Sequence, residues 1–281
     1  MKLRIFSMLV LVLFFSLLAV NARADSVNLG PASSFGLLGG TISNTGTSMV
    51  TGDVGATTTV TGFDPTGTAT GTVYPAPSNS TVTAAYNAVF GSGGAFSTAE
   101  GLTSDGSFTA ATSQTFSPGV YTSLGTISTT TGTSLTFNAG GNSSALFIIQ
   151  IPGDLTVNGA MTFTLEDGAQ ADNIFWIVED AATISVGSSG AIDFDGNILA
   201  GTSFTMSAAS GGTGTSAGTI NGCVFAGTAN TLAGTTDVGG CADTSAVGTP
   251  TPTPVPEPGS MALLGSGLFA LAGVIRRKLR K

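Results

Sequence analysis

The sequence predicts an all-β protein folded as a β-solenoid, a stack of coils in which short strands recur in a fixed order. Gly contributes 41 of the 281 residues, 42% of the residues are hydrophobic and 9% are charged. Frequent Gly among small β-prone residues indicates many short strands joined by tight turns. Matching positions such as Phe147, Phe175, Ile198 and Val224 recur every 22 to 29 residues or so, about the length of a three-strand coil. A β-sandwich would space its turns similarly, but its strands would not recur as three types in one order.

The first strand type is a run of apolar residues followed by a short turn. It occurs in Ala145–Gln150, Asn173–Val178, Asn197–Ala200 and Cys223–Ala226. Continuous apolar runs are typical of strands buried on both faces, so another element must cover this face from outside. The segment of about residues 81–96 is the best candidate for a helix, and we expect it to pack along the face formed by the first strand type. Its apolar residues have helical spacing: Val82, Ala85, Tyr86, Val89 and Phe90.

The second strand type alternates apolar and polar residues, as half-buried strands do. Its predicted inward residues are Ile42, Ile127, Leu155, Ile184, Met206 and Leu232. Its predicted outward residues are Thr41, Thr126, Thr156, Thr183, Thr205 and Thr231. Such a face would be flat, uncharged and covered with methyl and hydroxyl groups, although Thr is also an ordinary residue for an exposed β surface.

A third strand type completes each coil. It occurs in Leu135–Phe137, Thr162–Leu165, Ile192–Asp195 and, weakly, Thr219–Ile220. Asp193 and Asp195 are expected to point outward together from one of these strands. They make the third face more charged than the second.

The charge distribution excludes several functions. All eight Lys and Arg residues lie near the two ends of the chain, all sixteen acids fall between Asp25 and Glu257, and there is no His. A domain without cations cannot neutralise nucleic-acid phosphates, and without His it has no Ser-His-Asp or Cys-His catalysis. Two Cys residues cannot complete a structural zinc site. We therefore expect no cofactor, no metal and no nucleic-acid partner.

Pairs of acidic residues leave two alternatives open. A glycosidase could use two carboxylates, and Asp193 with Asp195 could help to bind Ca²⁺. The candidate pairs are Asp193 and Asp195, Glu179 and Asp180, and Glu166 and Asp167. Solvated turns and strand edges account for the same acids, so we expect a protein that is not an enzyme.

The N-terminus is predicted to be a secretory signal peptide, residues 1–24. Lys2 and Arg4 precede an apolar run, and Ala22-Arg23-Ala24 fits the cleavage rule; a retained membrane anchor is the alternative. The exported domain then spans residues 25–245. Its two cysteines, Cys223 and Cys241, can form a disulfide in an oxidising compartment, or Cys223 can be buried unpaired in an apolar strand.

The C-terminus has three parts: a Pro/Thr linker at 246–254, an apolar segment at 259–275 and a basic end. The linker is followed directly by Val255, Pro256, Glu257 and Pro258. This order resembles the PEP-CTERM sorting tail of Gram-negative bacteria, here residues 255–281. The resemblance implies an exosortase-type processing enzyme as partner, and its carriers commonly accompany exopolysaccharide or biofilm systems. A plain C-terminal anchor is the alternative. We expect export, anchoring in the inner membrane before processing, and a cell-surface or extracellular location afterwards.

Several longer segments together resemble the bacterial and fungal ice-binding protein family. They are the opening VNLGPASSFGLLGGTISNTGTSMVTGDVGA, SPGVY at Ser117–Tyr121, ALFIIQIPGDLTV, NIFWIV and GNILAGTSFTM. The resemblance covers Ser26 to Asp237. It implies an irregular right-handed β-solenoid with three strand faces and one long helix alongside, whose N-terminal segment packs against the C-terminal coils and puts Thr41 in the face of Thr231.

The resemblance also implies a function, the binding of ice crystals through one flat solenoid face, which slows growth and recrystallisation. The second face suits this role because it lacks charged side chains, which hold their own hydration. The alternative is a non-enzymatic adhesin of the biofilm matrix that uses the same face on exopolysaccharide. The expected partner is therefore an ice surface or a polysaccharide.

Overall fold

Strands formed by the repeated segments pair in parallel, coil upon coil. The structure is a computed structural model that describes residues 26–63, 67–74, 77, 79–109, 113–129, 132–159, 161–185, 192–207 and 216–241. All of these residues belong to one unit, Asp25–Gly248. The predicted signal peptide, linker, sorting tail and apolar segment 259–275 lie outside the described residues. No helix within the described part is long and apolar enough to cross a membrane.

Short strands dominate the described residues. In chain order they are β1 (Phe35–Asn44), β2 (Met49–Val50), β3 (Asp53–Thr61), β4 (Thr68–Ala69), β5 (Val73–Tyr74), β6 (Gly106–Phe108), β7 (Ser113–Phe116), β8 (Gly119–Ser123), β9 (Ile127–Thr129), β10 (Thr133–Asn138), β11 (Phe147–Ile151), β12 (Leu155–Asn158), β13 (Met161–Glu166), β14 (Ile174–Val178), β15 (Ala182–Ser185), β16 (Ile192–Asp195), β17 (Asn197–Ala200), β18 (Ser203–Ser207), β19 (Ser216–Asn221), β20 (Val224–Leu232) and β21 (Thr235–Val238). The helices are α1 (Ser80–Phe90) and α2 (Ala95–Glu100), with 3-10 turns at Gly30–Ser34 and Ala171–Asn173.

The largest sheet has thirteen strands and two arms. Strands β6, β8, β11, β14 and β17 form the first arm, and β9, β12, β15 and β18 form the second arm. Strand β20 joins the arms, because its first residues pair with β17 and its later residues with β18. Strand β1 pairs with β20 and with β3, so the N-terminal segment packs against a C-terminal coil as predicted.

Two smaller sheets contain the predicted third strand type. One has the order β13-β10-β7 and the other the order β16-β19-β21-β2-β4. Every strand pair of the described residues is parallel. Hairpin-built sandwiches pair sequential strands antiparallel, so this pairing agrees with stacked coils. The handedness of the winding and the division into three faces stay predictions.

The main core lies between the first arm, the second arm and the smaller sheets. Trp176 is buried at its centre, where its ring lies 5.2 Å from that of Phe194 and 6.3 Å from that of Phe137. The indole Nε1 donates a hydrogen bond to the Asp195 carbonyl over 2.9 Å. The predicted inward residues of the second strand type are all buried. The alternating pattern therefore identified the inner side of these strands correctly.

A second core lies on the outer side of the first arm. Ile148, Phe175 and Phe225 point away from the main core and pack against residues of α1 and α2. Val82, Ala85 and Val89 supply the buried face of α1, as the helical spacing predicted. The continuous apolar runs are thus buried on both faces, and the predicted cover is confirmed.

The helix predicted over residues 81–96 is divided in two. Asn79 caps α1 by accepting a hydrogen bond from the Thr81 N–H over 2.9 Å, and α1 ends at Phe90. Gly93, with φ 71°, lies in the break between the helices. Because Gly adopts this left-handed conformation without strain, the chain turns here and restarts as α2.

Candidate functional site

The outer side of the first arm is not available as a binding surface because the helices cover it. Two contacts fix this cover. The Tyr86 hydroxyl donates to the Gly227 carbonyl over 2.5 Å. The amide of buried Gln150 donates to the Ala99, Glu100 and Leu102 carbonyls over 2.8, 3.1 and 2.9 Å. Gln150 stands at the end of an apolar run and was not predicted to have a role.

The outer side of the smaller sheets carries carboxylates. Asp193 is exposed and Asp195 is partly buried on β16, and Asp237 lies further along the same sheet in register with Thr219. Burial raises the pKa of Asp195, the hydrogen bond from the Asn221 amide opposes this rise, and the charge of Asp193 adds to it. This side therefore presents hydrated charge, as predicted.

The acidic pairs lie in turns and at strand ends. The Asn138 amide donates to both Glu166, over 3.3 Å, and Asp167, over 2.6 Å. Glu179 and Asp180 are exposed in the turn between β14 and β15. Within the described ranges, no group of three or more His, Cys, Asp or Glu side chains could hold a metal ion.

The outer side of the second arm, extended by the paired residues of β20, β1 and β3, carries a row of hydroxyl side chains in register; this whole side is called the second-arm surface below. The residues of the row, here called the central row, are Ser128, Thr156, Thr183, Thr205, Thr231, Ser43 and Thr61. Each of them is exposed or half-exposed. With strands spaced at about 4.8 Å, the row is about 29 Å long.

Two of the six predicted Thr residues lie beside the central row. Thr41 is opposite Ala229 and Thr59, two residues before Ser43. Thr126 precedes Ile127, which pairs with Leu155, so Thr126 lies beside Asp154. These positions form a second row beside the central row, here called the flanking row, which contains Thr126, Asp154, Ala229, Thr41 and Thr59. Both side chains are exposed on the same side as Thr231. They lie two residues away from the positions that are in register with Thr231.

The two-residue error has a physical reason. Each strand has two inward positions, and Ile127 occupies the first while Ile184 occupies the second. In β9 and β1 the second position holds a buried polar residue, Thr129 or Asn44. Aligning strands by their apolar residues therefore placed β9 and β1 two residues out of register with the other strands. For this reason Ser43 and Ser128 were not predicted as surface residues, although each follows the repeated Thr-Ile pair.

The surface is rigid and almost free of charge. Thr has few χ1 rotamers, because two heavy atoms branch from its Cβ, and each strand is held by neighbours on both sides except at the ends of the stack. Among the described positions of the central and flanking rows, a carboxylate occurs at Asp154 alone. Its side chain accepts a hydrogen bond from the Ala181 N–H over 3.0 Å, which ties it to the next strand.

Gly153 forms the corner that leads into this surface. Its φ is 151°, and a Cβ there would lie 2.8 Å from the Thr126 hydroxyl oxygen. A larger residue would therefore displace Thr126 from the flanking row.

Comparison with known proteins decides the family. The model of the ice-binding-like family matches residues 37–237, a range that includes every residue of the central row. The chain belongs to the ice-binding-like family. A separate match to the PEP-CTERM protein-sorting motif covers residues 254–278.

Individual relatives share this assignment over most of the chain. An ice-binding protein from Nostoc sp. (strain HG1) is 32% identical over 285 residues, covering 99% of this chain and 97% of the relative. An ice-binding protein from Flavobacterium frigoris (strain PS1) is 33% identical over 228 residues, covering 74% of each chain. The crystal structure of an ice-binding protein from the Antarctic ascomycete Antarctomyces psychrotrophicus matches with a TM-score of 0.62 and 30% identity, over 75% of this chain and 97% of that one.

Proposed function

We propose that this protein adsorbs to ice crystals through the outer side of the second arm and thereby slows their growth or recrystallisation. The observation that carries the proposal is the central row, seven hydroxyl side chains in register on a rigid surface that is almost free of charge. Membership of the ice-binding-like family and the named relatives support it.

The proposed contact residues are the predicted Thr41, Thr126, Thr156, Thr183, Thr205 and Thr231, together with Ser43, Ser128, Thr59 and Thr61. Each contact to ordered water is weak, so adsorption needs many of them to act together on one rigid surface. Charged side chains would oppose adsorption, because removing the water bound to a charged group costs much free energy. The other two sides are covered by helices or carry carboxylates.

The proposal also covers the handedness of the solenoid, its number of strand faces and the lack of a catalytic role. We infer a right-handed β-solenoid with three strand faces, in which the strands act as a scaffold and no side chain acts as a catalyst. The acidic pairs have the roles of turn and strand-end residues, held by partners such as Asn138 and Asn221.

Export and sorting complete the proposal. The signal peptide 1–24 would direct export, and the matched sorting tail would hold the chain in the inner membrane until an exosortase-type enzyme processes it at Val255–Pro258. The product would be at the cell surface or outside the cell. The family and its relatives favour ice over the exopolysaccharide of the matrix-adhesin alternative.

An ice recrystallisation inhibition assay tests the proposal on residues 25–255, which contain the unit Asp25–Gly248. The variant is Thr183→Tyr with Thr205→Tyr, two half-exposed neighbours in register on the second arm. The matched control is Thr136→Tyr with Thr164→Tyr, two half-exposed neighbours in register on a smaller sheet. We expect the control to inhibit recrystallisation like the parent and the variant to lose at least 90% of the activity.

Two results would contradict the proposal. Equal activity of variant and parent would exclude the second-arm surface as the contact. Inactivity of a folded parent at micromolar concentration would exclude ice as the ligand. Soluble polysaccharide should not compete with ice for the parent, whereas it would compete if the matrix-adhesin alternative were correct.

A further inference from the structure

The described part of the domain ends just after a short strand. Strand β21 has four residues, pairs with β19 on one side, and contacts only the two-residue strand β2 on the other. Cys241 follows this strand, and the chain continues from there toward the matched sorting tail at 254–278. Tension applied through the tail would therefore reach Cys241 and β21 first.

A disulfide connects this end of the domain to a strand of the large sheet that has three paired neighbours. Cys241 is bonded to Cys223, 18 residues earlier in the sequence. Cys223 is fully buried and immediately precedes β20. Because β20 pairs with β17, β18 and β1, the covalent path leads from the tail into the middle of the sheet and bypasses β21.

The same strand reaches the proposed ice contact. Thr231 of the central row lies on β20, eight residues beyond Cys223, a distance of about 26 Å along an extended strand. One continuous strand thus joins the point at which tension enters the domain to the surface that would hold ice. Cys223 lies directly before the residues of β20 that pair with β17, whereas Thr231 is among those that pair with β18, so tension would enter away from the contact.

We propose that the Cys223–Cys241 bond carries tension from the C-terminal end of the domain into the large sheet, and that the processed protein, where it is held at the cell surface through that end, attaches the surface to ice. The inference rests on the proposed ice contact. It adds a function, mechanical attachment of the cell surface to ice, to the inhibition of crystal growth. The disulfide is needed for this function because without it a pull on the tail would peel β21 from its neighbours and extend the chain back to β20.

The test measures the force that detaches beads from ice. The exported chain with its tail intact is coupled to beads through its C-terminus, and the variant Cys241→Ser is treated identically. A second pair of beads carries the same two proteins coupled through the N-terminus of the exported chain. We expect Cys241→Ser to lower the rupture force at least twofold on C-terminal beads and to leave it unchanged on N-terminal beads. Freed from the disulfide, the 18-residue interval should also extend by about 60 Å before rupture.

Three results would overturn the inference. Equal rupture forces for parent and variant on C-terminal beads would show that the bond carries no load. An equal loss on both kinds of bead would show that it acts only through stability. If no bead adheres and the recrystallisation assay is also negative, the proposed function itself has failed. Reducing the bond with dithiothreitol in parent molecules already on ice gives the same comparison without requiring the variant to fold.

Discussion

The hydrogen bonds of Gln150 predict a large effect on stability from one substitution. Its amide nitrogen lies within 3.1 Å of three carbonyl oxygens at the end of α2, and its side-chain oxygen accepts from the Thr122 hydroxyl. The side chain is 6% exposed, so water cannot replace most of these bonds. The change Gln150→Leu keeps the volume similar and removes every one of them.

The expected cost follows from the number and burial of the bonds. The amide carries two hydrogens, so it makes about two full donor bonds, and a net hydrogen bond is worth about 1 kcal/mol. The bond from the Thr122 hydroxyl to the side-chain oxygen is a third lost bond, whereas the Ala99 carbonyl still accepts from the Gly101 and Leu102 N–H groups. We therefore expect Gln150→Leu to lower the free energy of unfolding by about 2–4 kcal/mol.

Urea unfolding of residues 25–255 measures this change. The matched control is Gln170→Leu, because Gln170 is exposed and donates only to the nearby Gly168 carbonyl; it should change stability by less than about 0.5 kcal/mol. A Gln150→Leu variant as stable as this control would refute the reasoning.

The charged variant Gln150→Glu gives the reasoning a pH test. Burial and the facing carbonyls would raise the folded-state pKa of the introduced carboxyl above its unfolded value of about 4.3. The destabilisation should then be complete well above that pH and should diminish as the pH falls and the carboxyl is protonated. A pH-independent cost would contradict it.

Three further predictions concern other side chains. Asp154→Asn keeps an acceptor for the Ala181 N–H and removes a carboxylate from the proposed contact, so recrystallisation inhibition should equal or exceed that of the parent; a clear loss would give the carboxylate a role in ice contact. Burial raises the pKa of Asp195, so the folded state binds a proton more tightly than the unfolded state, and its stability falls as the pH rises through the carboxyl range. Asp195→Asn should accordingly need more urea to unfold than the parent at pH 7, and the gap should close below pH of about 4; an unchanged gap at low pH would contradict this. Cys241→Ser should lower the free energy of unfolding by about 3 kcal/mol in the chain-entropy model, given the separation of 18 residues; an unchanged urea midpoint would contradict it.

Much of the fold was predictable because burial leaves a direct pattern in the sequence. The segment Ile174–Val178 is buried at every position, and its unbroken apolar run predicted burial on both faces. Alternation in Ala182–Ser185 equally predicted one inward and one outward side. The unbroken apolar runs required a covering element, and the buried residues Val82, Ala85 and Val89 of its helix were identified by spacing.

The remaining features depend on contacts between distant residues. The register of β1 against β20 joins positions about 190 residues apart, and no local pattern states which inward position Ile42 occupies. Strand β3, with Thr59 and Thr61, was not predicted to extend the surface, because its Thr-rich end alternates weakly. The contact of Gln150 with α2 likewise spans about 50 residues and follows from the packing of the helices.

The partition of labelled protein between ice and liquid tests the central claim most directly. Residues 25–255 are mixed with a slowly growing ice crystal, and the protein in each phase is measured for the parent, for Thr183→Tyr with Thr205→Tyr, and for the control Thr136→Tyr with Thr164→Tyr. We expect the parent and the control to be enriched in the ice and the second-arm variant to stay in the liquid. Exclusion of the folded parent from ice, or enrichment of the second-arm variant equal to that of the parent, would contradict it.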